Sequence, residues 1–319
     1  MIYLKPVGGL CNRMRSIEST INLCENKNCD LTILWENNLD LNCSFKKIFN
    51  ELKGQNTSIK LKEFSGSLLT YYLNKTIVYK KKKFGLLYYI IYHLKRCLRK
   101  NNLDLHTAIL LWKIKDENLI FNKNLMKIYN SYVGQNKVDI NEMDSFFINE
   151  ISSWFNNLFD AKKSNVFIES CFRMYLIKDH LSIFKPNNDL QAKIDRISLN
   201  YKHTVGIHIR RTDHLASIEK SQTSKFITLI EDSLKINKER TFFLATDDKV
   251  LKEELIVKFG AKIITNEVKS YDRNKSSSIE NALIDLYCLS RTEKIFGSFH
   301  SSFSQTAAII GKINVITVI

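Results

Sequence analysis

The alternation of apolar and polar positions is most regular after Pro186. Short apolar runs in this part predict five strands, at 205–210, 241–246, 262–265, 294–297 and 313–318. The segments between them carry apolar residues at helical spacing and predict helices near 223–236, 248–258, 278–290 and 302–310. Strands that alternate with helices of this length indicate right-handed crossovers and a parallel sheet. Ligands bind such sheets at the carboxyl ends of the strands, so functional residues are expected just after the strands.

The beginning of the chain shows the same kind of pattern. Residues 2–7 predict a short strand, the Gly8-Gly9 pair a turn, the stretch to about residue 28 a helix, and residues 31–35 a second strand. This order of elements is typical of the start of an α/β domain.

The middle of the chain, from about residue 40 to 195, is less regular. It predicts amphipathic helices at 84–100 and 143–159 and a strand at 166–172. A length of 319 residues is sufficient for two domains. We therefore expect an N-terminal α/β domain with a helical insertion over residues 1–190, and a Rossmann-like domain over residues 191–319.

Composition and charge narrow the classes of protein. With 44% hydrophobic and 25% charged residues, the chain is too apolar for a disordered protein and too polar for a membrane bundle. The net charge of +15 fits nucleic acid, an anionic membrane face or a phosphorylated substrate as partner, and does not choose among them.

Cysteine spacing and the N-terminal pattern concern the cellular location. The seven cysteines include no CxxC pair and no zinc spacing, which favours free thiols in a reducing cytosol. No basic segment precedes an apolar one at the N-terminus, so no signal peptide is predicted. The longest apolar stretch, at 84–94, is about half of the ~20 residues that a membrane-spanning helix needs. A cytoplasmic protein is expected, at most resting on a membrane.

The first candidate site is the predicted strand at 205–210. With a period of two, His208 and Arg210 lie on one face, at the carboxyl end where a ligand would lie. A guanidinium there offers a fork of donors that fits a diphosphate. The alternatives are a structural pair in which Asp213 neutralises Arg210 or Arg211, and a core histidine at His208.

The second candidate is the serine-rich segment 297–304, which follows a predicted strand and opens a helix. Ser301 or Ser302 suits the N-cap position. A helix start also offers unpaired N–H groups and the positive end of a dipole to an anion. Serine-rich caps are common, so this segment indicates phosphate binding only together with the arginine strand.

Carboxylates supply two further candidates. Asp285 interrupts the apolar centre of the predicted helix 278–290, and a carboxylate beside a core is costly unless it is paired. A guanine edge would pair it, and so would a neighbouring lysine. Asp247 and Asp248 end a predicted strand and resemble a metal-binding pair, but a helix cap is the favoured interpretation, and no metal site is predicted.

The glycine turn near the N-terminus is the last candidate. Gly8 and Gly9 let the backbone approach a ligand closely, and Asn12 and Arg13 stand at the helix start, where they suit an anion or a sugar. The alternative is a tight turn with an exposed Arg13. The segment is neither a GxGxxG nor a GxxxxGK[ST] pattern, so Rossmann dinucleotide or P-loop chemistry is not indicated.

Taken together, these segments resemble a superfamily of fucosyltransferases. It contains the α1,6-fucosyltransferases of N-glycan cores and of rhizobial nodulation factors and, more distantly, α1,2- and protein O-fucosyltransferases. The motif His208-Ile209-Arg210-Arg211-Thr212-Asp213 resembles the HxRRxD motif of the α1,6 branch. Similar to its other segments are 243–248, and 282–290 followed by 297–304, while 8–13 resembles the GG-x-x-N-R opening of bacterial members.

The resemblance implies a GT-B-like fold, in which two Rossmann-like α/β domains face a cleft and the C-terminal domain binds the nucleotide sugar. It also implies GDP-fucose as donor, inversion at the anomeric carbon, and neither metal nor cofactor. By motif, Arg210 and Ser301 would bind the β-phosphate, and Asp285 with His208 the guanine. The remaining donor-binding candidates are Arg211, Ser302, Gly9, Asn12 and Arg13.

The same resemblance leaves the catalytic base and the acceptor open. The base of the superfamily is a carboxylate a few residues after the arginine motif; Glu219 falls near that place, and Asp213 lies nearer to the strand. We expect a glycan acceptor, lipid-linked or on the cell surface. The basic stretch 84–100 is interpreted first as a helix packed in the N-terminal domain with a solvated basic end, and the alternative is a contact with anionic lipid. Rival hypotheses are another donor, such as GDP-heptose or a different deoxyhexose, and a basic nucleic-acid-binding protein.

Overall fold

The computed structural model of the protein describes residues 1–38, 40–65, 119–121, 149, 153, 165–171, 173, 175, 181–199, 201–212, 215–268, 270, 272 and 275–319. The chain forms two compact units. The first comprises Met1–Gly8, Ser16–Asn38 and Lys53–Ile177, and the second comprises Gly9–Arg15, Leu39–Leu52 and Lys178–Ile319.

A parallel five-stranded sheet forms the first unit. Its strands are β1 (Ile2–Pro6), β2 (Leu31–Asn37), β3 (Ile59–Ser65), β4 (Leu119–Phe121) and β5 (Asn165–Ser170), in the order β3-β2-β1-β5-β4. Helix α1 (Leu10–Lys27) leads from β1 to β2. Because β1 has a parallel neighbour on each side, its residues are buried throughout. The buried cation Lys5 is compensated by ion pairs with Glu36 on β2 and Glu169 on β5, at 3.4 and 3.3 Å.

The second unit contains another parallel five-stranded sheet. Its strands are β6 (Thr204–Ile209), β7 (Thr241–Thr246), β8 (Ile263–Ile264), β9 (Lys294–Ser298) and β10 (Asn314–Val318), in the order β10-β9-β6-β7-β8. The helices of this unit are α2 (Asn188–Ser198), α3 (Leu215–Lys220), α4 (Thr223–Ile236), α5 (Lys249–Phe259), α6 (Ser276–Ser290) and α7 (Ser302–Gly311). Short 3-10 turns lie at Phe45–Lys47 and Gly260–Lys262.

Alternation along β6 divides its side chains between two sides of the sheet. Val205, Ile207 and Ile209 are fully buried and pack in one cluster with Phe226 and Ile230 of α4. Gly206 and His208 point to the other side, where a Cβ at residue 206 would lie 2.9 Å from the side chain of Leu289 on α6. The apolar face thus anchors the strand, and the other face delivers His208 towards α7.

The prediction of an α/β chain with parallel sheets is confirmed, and the predicted elements after Pro186 lie within two residues of the observed ones. The strand predicted at 166–172 is β5, which covers Asn165–Ser170. The helices predicted at 84–100 and 143–159 fall outside the described residues, apart from Asn149 and Ser153. The predicted domain boundary at 190 and the predicted cleft stay predictions.

Two further expectations can be compared with the described part of the chain. The six cysteines that lie in it, Cys11, Cys24, Cys29, Cys43, Cys171 and Cys288, are all free thiols, as predicted. None of the helices in the described ranges combines the length and the apolar character that crossing a membrane requires.

Candidate active site

A cavity of about 250 Å³ lies in the second unit, where β6, β7 and β9 end. Strand β6 delivers Arg210, β7 delivers Thr246 and Asp247, and the loop after β9 delivers Ser301. This is the carboxyl edge of a parallel sheet, the place where ligands of such sheets bind. Seven of the residues predicted for the site line the cavity: Gly9, Asn12, His208, Arg210, Asp285, Ser301 and Ser302.

Arg210 is held in place through its backbone. Its N–H donates to Oγ of Ser298 at 3.0 Å, and the same hydroxyl donates to the carbonyl oxygen of His208 at 3.3 Å. The end of β6 is therefore fixed against the end of β9. The side chain of Arg210 lies in the cavity wall, so the cavity contains a permanent positive charge.

The start of α7 opens on the same cavity. Ser301 occupies the N-cap position, but its side chain makes no cap hydrogen bond, because Oγ lies 3.3 Å from Nδ1 of His208. Ser301 is thus the N-cap residue, as predicted, although its hydroxyl contacts His208 and not an N–H group of the helix. The N–H groups of the first turn have no acceptor within the helix, and Ser302 and Phe303 line the cavity. The positive end of the helix dipole is thus available to an anion beside Arg210.

His208 is enclosed by α7. Nδ1 lies 2.7 Å from Oγ of Ser304, and the ring stacks on Phe303 with centroids 4.8 Å apart. Burial lowers the pKa of His208 to about 4; Asp247 opposes this shift and Arg210 adds to it. The ring is therefore neutral at physiological pH and acts as a hydrogen-bonding group, not as a cation.

Asp285 brings an unsatisfied carboxylate oxygen to the cavity. Its Oδ1 is buried and has no hydrogen-bond partner among the described residues. Burial raises the pKa of Asp285 to about 7, against the opposing effects of Lys252 and of a hydrogen bond with Asn266. The predicted lysine neighbour is therefore present, but Oδ1 still needs a donor, which a ligand can provide.

Gly9 and Asn12 form the part of the wall that comes from the glycine turn and α1. A Cβ on Gly9 would meet nothing within 4 Å, so packing within the protein does not require glycine there. Asn12 Oδ1 accepts from Nη2 of Arg15 at 2.7 Å, which leaves the amide NH₂ as the group for other partners. Arg13 is fully buried and does not line the cavity, so the alternative of an exposed Arg13 is wrong.

The side chain of Arg211 binds a neighbouring loop. Its guanidinium donates to the carbonyl of Ser221 at 2.5 Å and to Oγ1 of Thr223 at 3.0 Å, and it does not line the cavity. Of the two predicted base candidates, Glu219 is exposed on α3 and is not a lining residue, while Asp213 falls outside the described residues.

The two carboxylates after β7, Asp247 and Asp248, make hydrogen bonds that stabilise turns. Asp247 accepts from the backbone N–H of Arg211 at 2.7 Å and from Oγ1 of Thr212 at 2.6 Å. Asp248 caps α5 by accepting from the N–H groups of Val250 and Leu251. The cap interpretation is confirmed for Asp248. Within the described ranges, no group of three His, Cys, Asp or Glu side chains is arranged to hold a metal.

Sequence reasoning missed several lining residues, among them Asp40, Cys11 and Phe303. Asp40 comes shortly after β2, on a segment that reaches α6 through a 3.2 Å contact between Cys43 Sγ and Ser276 Oγ. Its position after a strand was the signal that could have found it. Burial raises the pKa of Cys11 to about 11, so its thiol is neutral and unsuited to nucleophilic chemistry.

Comparisons with known proteins were made on sequence and on structure. No protein-family model matches the chain, and a search of curated proteins finds no significant match. NodZ α1,6-fucosyltransferase co-crystallised with GDP is 13% identical, with a TM-score of 0.55 over 96% of this chain and 91% of that chain. POFUT1 in complex with GDP is 12% identical, with a TM-score of 0.54 over 99% of this chain and 98% of that chain.

A plant enzyme extends the likeness. A mutant of Arabidopsis thaliana FUT1 in complex with GDP is 13% identical, with a TM-score of 0.52, and the match covers 99% of this chain and 70% of that chain. The resemblance that the motifs indicate is thus confirmed at the level of the fold. The chain has the GT-B-like α/β fold of the fucosyltransferases.

Proposed function

We propose that the protein is a glycosyltransferase that moves fucose from GDP-fucose to a hydroxyl of a glycan. The observation that carries this proposal is the convergence of Arg210, the N-terminus of α7 and Asp285 on one cavity. The fold supports it, because solved structures that share the fold were obtained with GDP, and one NodZ crystal was soaked with GDP-fucose.

In this proposal the diphosphate lies between Arg210 and α7. The guanidinium and the N–H groups at Ser302 and Phe303 provide positive charge and donors for the phosphate oxygens. Asp285 provides a carboxylate that accepts two hydrogen bonds from the guanine edge, which would satisfy its buried Oδ1. Asn12 and Gly9 lie on the part of the wall that remains for the rest of the donor.

The proposed reaction is a single displacement with inversion. An acceptor hydroxyl attacks the anomeric carbon, its proton passes to a carboxylate, and GDP leaves from the opposite face. Arg210 and the start of α7 stabilise the negative charge that develops on the β-phosphate, as a metal ion does in other transferases. Glu219 and Asp213 remain the bases that the motif suggests, and Asp40 is a further carboxylate that lines the cavity.

The proposed setting is the synthesis of surface polysaccharide or glycoconjugate in the cytoplasm, with a glycan acceptor that is free or lipid-linked. The net charge of +15 agrees with phosphorylated substrates and with a peripheral contact to anionic lipid. No metal takes part in the proposed reaction.

The decisive test combines calorimetry with one pair of variants. Wild-type protein is titrated with GDP, UDP, ADP, GDP-fucose, GDP-mannose and GDP-heptose, and we expect GDP and GDP-fucose to bind most tightly. Arg210→Ala is expected to lower transfer roughly a hundred- to a thousandfold, because the leaving diphosphate loses its main cation. Arg196→Ala removes an exposed arginine on α2 and serves as the matched control.

Unfolding by urea checks that both variants remain folded. Near-normal transfer by Arg210→Ala would show that the arginine does not stabilise the leaving diphosphate. Tighter binding of another GDP-sugar would support the proposed nucleotide site but assign it a different donor. Absence of GDP binding together with tight, salt-sensitive RNA binding would favour a nucleic-acid-binding protein.

A further inference from the structure

Ser304 does not line the cavity itself, but it contacts His208, which does. It lies on α7 and is almost fully buried at 1% exposure. Its Oγ is 2.7 Å from Nδ1 of His208 and has no other hydrogen-bond partner among the described residues. This is one hydroxyl directed at one ring nitrogen, inside the protein.

The direction of this hydrogen bond follows from the number of protons. A buried hydroxyl proton needs an acceptor, and Nδ1 is the acceptor within reach of Ser304. A neutral imidazole carries a single proton, so if Nδ1 accepts, Nε2 is protonated. The ring is neutral because it is enclosed, and the hydroxyl therefore selects the tautomer with the proton on Nε2.

Packing fixes both partners of the hydrogen bond. A Cβ on Gly297 would lie 2.5 Å from Oγ of Ser304, which shows how closely the backbone of β9 approaches the serine. On its other side, the imidazole stacks on Phe303 at an interplanar angle of 29°. The hydroxyl therefore lies close to the backbone of β9, and Phe303 covers one face of the ring.

We propose that Ser304 is a positioning residue that holds His208 in the Nε2–H tautomer, so that the ring donates a hydrogen bond to an oxygen of the bound nucleotide. The hydroxyl of Ser301 lies 3.3 Å from the same Nδ1. Because the single lone pair of Nδ1 accepts from Ser304, the Ser301 hydroxyl is left to donate to the ligand. This inference rests on the proposed function and specifies which nitrogen of His208 carries the proton in the nucleotide site.

The first test observes the tautomer without any ligand. In protein labelled with ¹⁵N-histidine, ring-nitrogen shifts distinguish protonated from unprotonated nitrogen, and the His208 signals are assigned by their loss in His208→Gln. At pH 7 we expect Nε2 to be protonated and Nδ1 to be unprotonated. Ser304→Ala should shift the Nδ1 signal and produce a mixture of tautomers.

The second test measures affinity by calorimetry. Ser304→Ala is expected to weaken GDP binding about 3- to 10-fold, the effect of losing one well-aligned hydrogen bond. In the His208→Gln background the same change should have no additional effect, since Ser304 acts through the ring. Ser290→Ala removes a buried hydroxyl on α6 that donates to the carbonyl of Tyr287, and as the control it should leave both readouts unchanged.

Guanosine and inorganic pyrophosphate identify the accepting oxygen. If Ser304→Ala weakens guanosine binding, the oxygen belongs to the base; if it weakens pyrophosphate binding, the oxygen belongs to a phosphate. A ring protonated on Nδ1, or an unchanged GDP affinity in Ser304→Ala, would overturn the inference. Wild-type protein that shows the expected tautomer but binds no GDP would instead overturn the proposed function.

Discussion

Burial acts in different directions on the ionisable side chains of the cavity. His208 has a pKa lowered to about 4, and Asp285 has a pKa raised to about 7. Cys11, with a pKa raised to about 11, remains a neutral thiol. At pH 7 the cavity therefore contains a charged Arg210, a partly ionised Asp285 and a neutral imidazole. Asp285 is the group among these whose charge changes near physiological pH.

GDP binding is expected to tighten as the pH rises from 6 to 8, because ionised Asp285 accepts hydrogen bonds from guanine. Below pH 7 the change approaches about tenfold per pH unit. Asp285→Asn should weaken binding and remove the part of the pH dependence that belongs to this carboxyl group, which leaves the smaller part due to the terminal phosphate of GDP. Calorimetry at three pH values checks both effects, with Asp232→Asn, an exposed residue on α4, as the control.

Stability is expected to show the opposite trend. The folded-state pKa of Asp285 lies above the ordinary value of 3.8, so between about pH 4 and 7 the folded state binds more protons than the unfolded state. The contribution of this group is fully present at low pH and is lost as pH rises through 7. At pH 8 Asp285→Asn should therefore raise the free energy of unfolding by about 1–2 kcal/mol. A destabilised variant at pH 8 would show that the carboxylate is well paired.

Gly9 provides a third prediction at the residue scale. Its φ is not in the left-handed region, and a Cβ there meets nothing within 4 Å, so Gly9→Ala should fold with unchanged stability. The added methyl group occupies space in the cavity wall and should weaken GDP binding at least about tenfold, which calorimetry measures.

Gly260→Ala is the contrasting control for Gly9→Ala. Residue 260 has a φ of 55° and also has open space around it, so alanine there should cost about 1 kcal/mol of stability and leave binding unchanged. If Gly9→Ala destabilises the protein and binds GDP normally, the glycine serves the turn and not the ligand.

At the scale of elements, the turn between β7 and α5 has a structural task. Asp248 caps α5, and Asp247 fixes the loop after β6 through Arg211 and Thr212. Both carboxylates thus have partners in the protein. The turn resembles a metal site in sequence, but the hydrogen bonds explain why acidic residues are present there.

Asp248→Ala is therefore expected to lower the free energy of unfolding by about 1 kcal/mol, and Asp248→Ser, which keeps a cap acceptor, should restore most of it. Transfer should persist in excess EDTA for the wild type and for Asp248→Ser. If EDTA abolished fucose transfer and Mg²⁺ or Mn²⁺ restored it, these carboxylates would be assigned to a metal site and not to structural turns.

Helix α7 shows the limit of element-scale prediction. The sequence predicts a helix at 302–310 with a serine at its start, and the structure has the helix at Ser302–Gly311 with Ser301 as the N-cap residue. The sequence does not show that the hydroxyl of Ser301 turns to His208 instead of capping the helix. That choice depends on a contact between residues 93 positions apart.

At the scale of the whole molecule, strand order assembles the cavity. The order β10-β9-β6-β7-β8 places β6 between β7 and β9, so the residues that follow these three strands meet at one edge. Alternating strands and helices predict the parallel sheet, and the sheet predicts that edge. The convergence of Arg210 and Ser301 was therefore predictable in outline, whereas Asp285 lies on helix α6 and its place at the cavity was implied only by the resemblance.

The sequence by itself determined the five strands of the second unit, its helices α4 to α7 and the edge where a ligand is expected, because these depend on local periodicity and on the handedness of crossovers. It did not predict α2 and α3. Only the tertiary structure decided that Arg211 binds the loop at Ser221, that Arg13 is buried, and that Asp285 keeps an unsatisfied oxygen. The tautomer that we propose for His208 rests on the same kind of contact. These properties depend on distances and burial between residues far apart in the chain, which no local pattern encodes.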